Sequence, residues 1–269
     1  MRQVFALLAL AIAWMSAPDA SAQTVTKVAD VTCTTSATTC TAPITAAVPA
    51  GSFLVVVVVD QTTPSSKPAI ADNAATTNCS GAYPTNAFPN VYSYIAVAVC
   101  ASTSGAMTSG TTCGSGGTTQ CAITITDTGS YYWAIQAYIV SGLVGYDKAG
   151  AQVTGTTLTN GLPTTFAASP GLGYSSEWAL GIIALGTGAT SDSMASYTGG
   201  FSSIGARVAG ATNRPEFFLS ARTLTNGTAT LGATPTANST HNYNSVVLLF
   251  QTAATFRLGC FGLLLGAGC

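Results

Sequence analysis

The chain has 269 residues, 48% of them hydrophobic and only 6% charged, with eight Lys and Arg against nine Asp and Glu and a formal net charge of -1. So few cations leave no electrostatic footprint for phosphates, which excludes a nucleic-acid partner. High hydrophobicity with almost no net charge is the reverse of the disordered signature, and the length suits one all-β unit.

Residues Met1 to Ala22 carry one positive charge at Arg2, an apolar run from Val4 to Met15, Pro18, and the small residues Ala20-Ser21-Ala22 before Gln23. This is the layout of a secretory signal peptide with an A-x-A cleavage site, too short in its apolar run to span a bilayer. The expected organisation is therefore a cleaved signal peptide at 1–22, a single β domain at 23–252 and a Cys-bounded apolar tail at 253–269.

Strand signals then follow in chain order: Thr24 to Thr32, Phe53 to Asp60, Val91 to Cys100, Cys121 to Thr126, Tyr131 to Ser141, Ala151 to Leu158, Glu177 to Leu185, Glu216 to Arg222, Gly227 to Leu231 and Tyr243 to Thr252. These runs are rich in Val, Ile, Thr and Tyr, and Gly, Pro, Asn and Ser separate them. No run after the leader shows helical periodicity with caps. The fold class is all-β, an antiparallel two-sheet β-sandwich of jelly-roll-like form.

Three strands break the alternation expected of a sheet with one wet face. Leu54 to Val59, Ala179 to Leu185 and Val246 to Phe250 are apolar on both sides, so their outer faces need cover from loops, a neighbouring subunit or small residues. The strand from Tyr131 reads as two-faced, with Trp133, Ile135 and Ile139 inside and Tyr132, Gln136 and Tyr138 outside. Ala101 to Gln120 and Gly186 to Gly205, rich in Ser, Thr and Gly, read as loops.

All eight cysteines, Cys33, Cys40, Cys79, Cys100, Cys113, Cys121, Cys260 and Cys269, follow the leader. An even count in an exported chain implies disulfides, and sequence alone does not choose among 105 connectivities for eight cysteines. Pairing of neighbours is the economical choice: Cys33 with Cys40, Cys113 with Cys121, Cys260 with Cys269 as short staples, and Cys79 with Cys100 as a longer bridge. No C-x-x-C occurs and His241 is the sole histidine, so no metal and no cofactor are expected.

Catalytic patterns do not assemble. Asp127-Thr128-Gly129-Ser130 matches the aspartic-protease string, but no second such motif exists, and Asp with Gly between strand patterns reads as a hairpin turn with Gly129 at positive φ. No G-x-S-x-G elbow accompanies His241. A glycosidase pair would have to come from Asp30, Asp60, Asp72, Asp127, Asp147, Glu177, Asp192 and Glu216, scattered along the chain. Glu177 and Glu216 open strands, where a charge protects an edge.

The order of patterns resembles a loose group of uncharacterised secreted bacterial β-sandwich surface proteins. The resemblance runs from Val48 to about Leu185 through Val48-Pro49-Ala50-Gly51-Ser52-Phe53-Leu54-Val55-Val56, Ile70-Ala71-Asp72-Asn73, Val91-Tyr92-Ser93-Tyr94-Ile95-Ala96, and Tyr138-Ile139-Val140-Ser141-Gly142-Leu143-Val144 followed by Tyr146-Asp147. It implies a jelly-roll-like sandwich at the cell surface and no activity.

The expected function is non-enzymatic: an exported β-sandwich acting in extracellular or cell-surface assembly or adhesion, with the periplasm as the alternative location. Its expected partners are further copies of itself or a surface polysaccharide, with no membrane-spanning segment in the mature form. A rival reading is a glycan-binding module whose platforms are Tyr83, Tyr92, Tyr94, Tyr132, Tyr138 and Tyr197. A glycoside-active enzyme ranks third.

Overall fold

The computed structural model describes residues 23–33, 36–60, 68–73, 79–83, 94–101, 121–155, 176–186, 193–207, 215–224, 231–235 and 242–252. Among them the chain is all strand, turn and coil. In order it forms β1 (Val25–Thr32), β2 (Ala37–Pro43), β3 (Phe53–Asp60), β4 (Ala69–Asp72), β5 (Cys79–Tyr83), β6 (Tyr94–Ala101), β7 (Ala122–Tyr131) and β8 (Trp133–Val140). Then follow β9 (Leu143–Ala149), β10 (Val153–Gly155), β11 (Glu177–Leu185), β12 (Met194–Tyr197), β13 (Ser202–Arg207), β14 (Glu216–Leu224), β15 (Ala233–Pro235) and β16 (Tyr243–Thr252). No described helix is long and apolar enough to cross a membrane.

Every pairing is antiparallel. The strands form a three-stranded sheet β2-β7-β4, a five-stranded sheet β1-β8-β3-β6-β5, a six-stranded sheet β10-β16-β11-β14-β13 with β9 also on β16, and a two-stranded sheet β12-β15.

Side-chain parity stacks these sheets into four layers around three cores. On β3, Leu54, Val56 and Val58 pack with Ile123 and Ile125 of the three-stranded sheet. The intervening Val55, Val57 and Val59 pack with Leu180, Ile182, Val246 and Leu248 of the six-stranded sheet. On β11 the alternation repeats, because Ala179, Ile183 and Leu185 turn the other way and meet Leu231 and Ala233 beside the two-stranded sheet. A strand with an apolar partner on each side loses nothing by being apolar on both faces, and each fully buried aliphatic contributes about 1.5–3 kcal/mol. The all-β, antiparallel class is as expected, but the described strands form four sheets where two were expected, and the two small sheets cover the outer faces of the two large ones.

The elements also correct the sequence reading at several places. Short strands β2, β4, β5, β12, β13 and β15 have too few residues or too many Ser, Thr and Gly for a propensity signal, β9 carries Gly, Asp and Lys, and β12 with the first part of β13 falls within the segment read as a loop. The Asp127-Thr128-Gly129-Ser130 string is not a turn: it continues β7, and Gly129 is outside the set of positive-φ glycines, which includes Gly142 between β8 and β9. A Cβ on Gly129 would lie 2.4 Å from Tyr131 Oη and 2.5 Å from its ring carbon Cζ, so a close contact, not a turn, is what glycine serves there. The supposed outside of β8 is interior, since Gln136 and Tyr138 are buried under the six-stranded sheet.

Within the inner sheets, register irregularities fall on the outer strands. β1 slips between Lys27 and Ala29, β5 between Gly81 and Tyr83, and β13 between Ser203 and Gly205, while β9 slips twice against β16. The interior pairs β3–β6, β3–β8, β11–β14 and β11–β16 run unbroken. Bulged edges make poor templates for further strands.

Candidate functional site

The densest polar arrangement lies on the rim between the two inner sheets. The bulge in β1 buries both Val28 and Ala29 and sets Asp30 directly opposite Gln136 of β8. Asp30 Oδ2 accepts hydrogen bonds from Lys27 Nζ at 2.6 Å and from Gln136 Nε2 at 3.1 Å. Its other oxygen, Oδ1, accepts from Arg207 of β13 at 2.5 Å. Gln136 Nε2 also donates to the Ala206 carbonyl at 3.2 Å, and Tyr138 Oη donates to Gln136 Oε1 at 2.6 Å. Six residues from β1, β8 and β13 thus join the five- and six-stranded sheets through one continuous network.

Gly205 makes that approach possible. A Cβ there would lie 2.0 Å from Tyr138 Oη and 2.9 Å from Gln136 Oε1, so the bulged β13 backbone comes closer than any side chain would allow.

The electrostatics of the network favour fixity over turnover. Burial pushes the Asp30 carboxyl up, but hydrogen bonds from Lys27, Gln136 and Arg207 and the charge of Lys27 outweigh it and hold the group below its usual value. Burial, reinforced by the Asp30 charge, drives the Tyr138 phenol far above its ordinary range. Asp30 stays charged and Tyr138 stays protonated across the physiological range, the states in which each fills its role in the network. Sequence reasoning named Asp30 only among the scattered carboxylates and Gln136 only as an outward residue, and it passed over Arg207; the one available signal of a shared site was a Gln inside an otherwise apolar strand.

The remaining carboxylates are spread through the layers. Asp127 is buried, and its Oδ1 accepts from Thr128 N at 2.5 Å, Thr128 Oγ1 at 3.1 Å and Gly129 N at 3.2 Å, so the protease-like string bonds to itself. Glu177 and Glu216 are buried in interior strands β11 and β14, which corrects the edge-protection reading. Glu177 faces Leu224 and Glu216 faces Leu185, at opposite ends of the same ladder, roughly 27 Å apart at ~3.4 Å per residue. That separation excludes them as a glycosidase pair. No group of three or more His, Cys, Asp or Glu among the described residues is placed to hold a metal ion. His241 and Asp192 lie outside the described residues.

Of the six tyrosine platforms, Tyr94 and Tyr138 are in the core and offer no face to a sugar, correcting their assignment. Tyr132 and Tyr197 are half-buried, and burial pushes the Tyr197 phenol up to about 12 despite a hydrogen bond with Ser203. Tyr83 lies on β5, and Tyr92 falls outside the described residues.

Cys33 and Cys40 form a disulfide with a Cα–Cα distance of 5.9 Å. Cys33 follows β1, where its amide bonds the Trp133 carbonyl at 2.8 Å, and Cys40 sits in β2, so the bond links the five-stranded sheet to the three-stranded one. Cys100 and Cys121 are disulfide-bonded as well, and Cys79 stands directly opposite Cys100 in the β5–β6 ladder. Cys113, Cys260 and Cys269 fall outside the described residues, as does the whole tail from Ala253.

Among the described residues, the outer face of the three-stranded sheet carries no charge. Thr39 and Thr41 of β2 stand opposite Thr126 and Thr124 of β7, which in turn face Ala69 and Ala71 of β4. Thr41 and Thr124 share a hydroxyl hydrogen bond at 3.2 Å, and Thr39, Thr41, Thr126, Ala69 and Ala71 are exposed. Comparison with known proteins finds no matching family, no similar curated protein and no similar solved structure.

Proposed function

We propose that the chain is an exported, non-enzymatic β-sheet protein that acts in extracellular or cell-surface assembly or adhesion. The observation that carries this reading is the uncharged Thr/Ala outer face on a sheet that a disulfide ties to the layer beneath it. A face without charges carries little desolvation cost when it meets another surface, and its threonines present both methyl and hydroxyl groups. The bulged edges direct such contacts to faces and away from continuation of the inner sheets. The jelly-roll-like sandwich is our reading of the inner pair of sheets, supported by their facing apolar sides. Disulfides and the leader-like first 22 residues support an oxidising destination outside the cytoplasm.

Sedimentation velocity on the exported chain, with fractionation of the producing cells, tests the reading. Concentration-dependent association or retention at the cell surface is expected, and the pair Thr41→Lys and Thr126→Lys should abolish it without changing the circular dichroism. A protein that stays monomeric at all concentrations and passes wholly into the medium overturns the proposal.

A further inference from the structure

We propose that Gln23 becomes the amino-terminal residue of the exported protein and closes into pyroglutamate, its α-amine displacing its own side-chain amide as ammonia. The inference rests on the export reading, because cleavage after Ala22 is what frees that amine. Its structural basis is separate and lies in how the Gln23 side chain is held.

Gln23 precedes β1 and reaches across the seam to the six-stranded sheet, where its Oε1 accepts a hydrogen bond from Thr223 Oγ1 of β14 at 2.7 Å. Its amide nitrogen Nε2 is buried and has no hydrogen-bond partner among the described residues. The next residue is fixed: Thr24 N donates to Ser141 Oγ at 3.1 Å, Ser141 N donates to the Thr24 carbonyl at 3.1 Å, and the two hydroxyls are 2.5 Å apart. With Thr24 anchored, rotation about the bonds of Gln23 itself is the motion that brings its amine to Cδ.

The chemistry balances within the residue. The α-nitrogen lone pair forms a bond to Cδ, and the carbonyl electrons move onto Oε1. Thr223 already donates to that oxygen, so the hydroxyl sits where negative charge grows in the tetrahedral intermediate. Collapse restores the carbonyl and breaks the Cδ–Nε2 bond, while a proton passes from the α-nitrogen to the departing nitrogen. Nothing is oxidised or reduced, and ammonia leaves. The lactam keeps the carbonyl that Thr223 serves and discards the amide nitrogen that lacked a partner.

The full chain, exported from a bacterial host and purified fresh, is followed by intact mass and amino-terminal sequencing over days at neutral pH. The expected product, after allowance for disulfides, is one ammonia lighter than residues 23–269, blocked to sequencing, and unblocked by pyroglutamyl aminopeptidase. Thr223→Val should slow the mass change about tenfold, whereas Thr223→Ser, which keeps the hydroxyl, should match the parent rate. A chain that begins at Gln23 and retains a free amine overturns the cyclisation while leaving export intact. A chain that begins elsewhere overturns both the cleavage position and the proposal. Equal rates for the parent and Thr223→Val remove Thr223 from the reaction.

Discussion

Asp30 shows how one rim residue sets the pH response of an otherwise weakly charged protein. Its carboxyl is held below the usual 3.8 by Lys27, Gln136 and Arg207 against the opposing effect of burial. A depressed folded-state pKa means that its contribution is complete above that usual value and is lost as pH falls through the folded value. Asp30→Asn should therefore lower stability by ~1–2 kcal/mol at neutral pH and flatten the acid limb of the stability curve below about pH 4. Urea denaturation at several pH values measures both effects, and an unchanged acid limb would assign it to other carboxylates. Gly181 makes a steric counterpart, since a Cβ there would lie 2.1 Å from Leu231 Cδ2 and 2.9 Å from Ser220 Oγ. Gly181→Val should displace Leu231 and cost ~1–3 kcal/mol by overpacking, read as a lower melting temperature.

At the scale of elements, the disulfide between Cys33 and Cys40 joins two strands that belong to different layers. Its sequence separation is short, 7 residues, so loop-closure entropy alone assigns it ~2.5 kcal/mol. Cys40 is also buried in the first core, so Cys33→Ser, which spares the buried side, is the cleaner variant. It should lower stability by about that amount in denaturant titration, and a loss well below ~1 kcal/mol would show that core packing already fixes β2. The neighbour-pairing rule succeeds here because both cysteines flank a short connection between adjacent strands. The same rule fails to foresee that the connection changes sheets, since a sheet switch leaves no mark on spacing or composition.

At the scale of the whole molecule, the four layers are unequal. The inner sheets bury both faces, whereas β12 and β15 form a two-stranded cover with side chains such as Ser196 and Ala195 exposed. A small outer layer with few buried side chains should open before the inner sheets do. Hydrogen exchange should therefore find the amides of β12 and β15 unprotected long before those of β3 and β11, and uniform protection would indicate a single cooperative unit. The sequence by itself determined the all-β class, the long strands Phe53–Asp60, Glu177–Leu185 and Tyr243–Thr252, and the need for cover on both of their faces, because β-branched runs and broken alternation are local properties. Tertiary structure alone decided what that cover is, because the small sheets are built from Thr-, Ser- and Ala-rich strands whose propensity is weak until a hydrophobic face is offered to them. It alone brought Asp30, Gln136 and Arg207 together, since residues 106 and 177 positions apart meet only where two sheets share a rim.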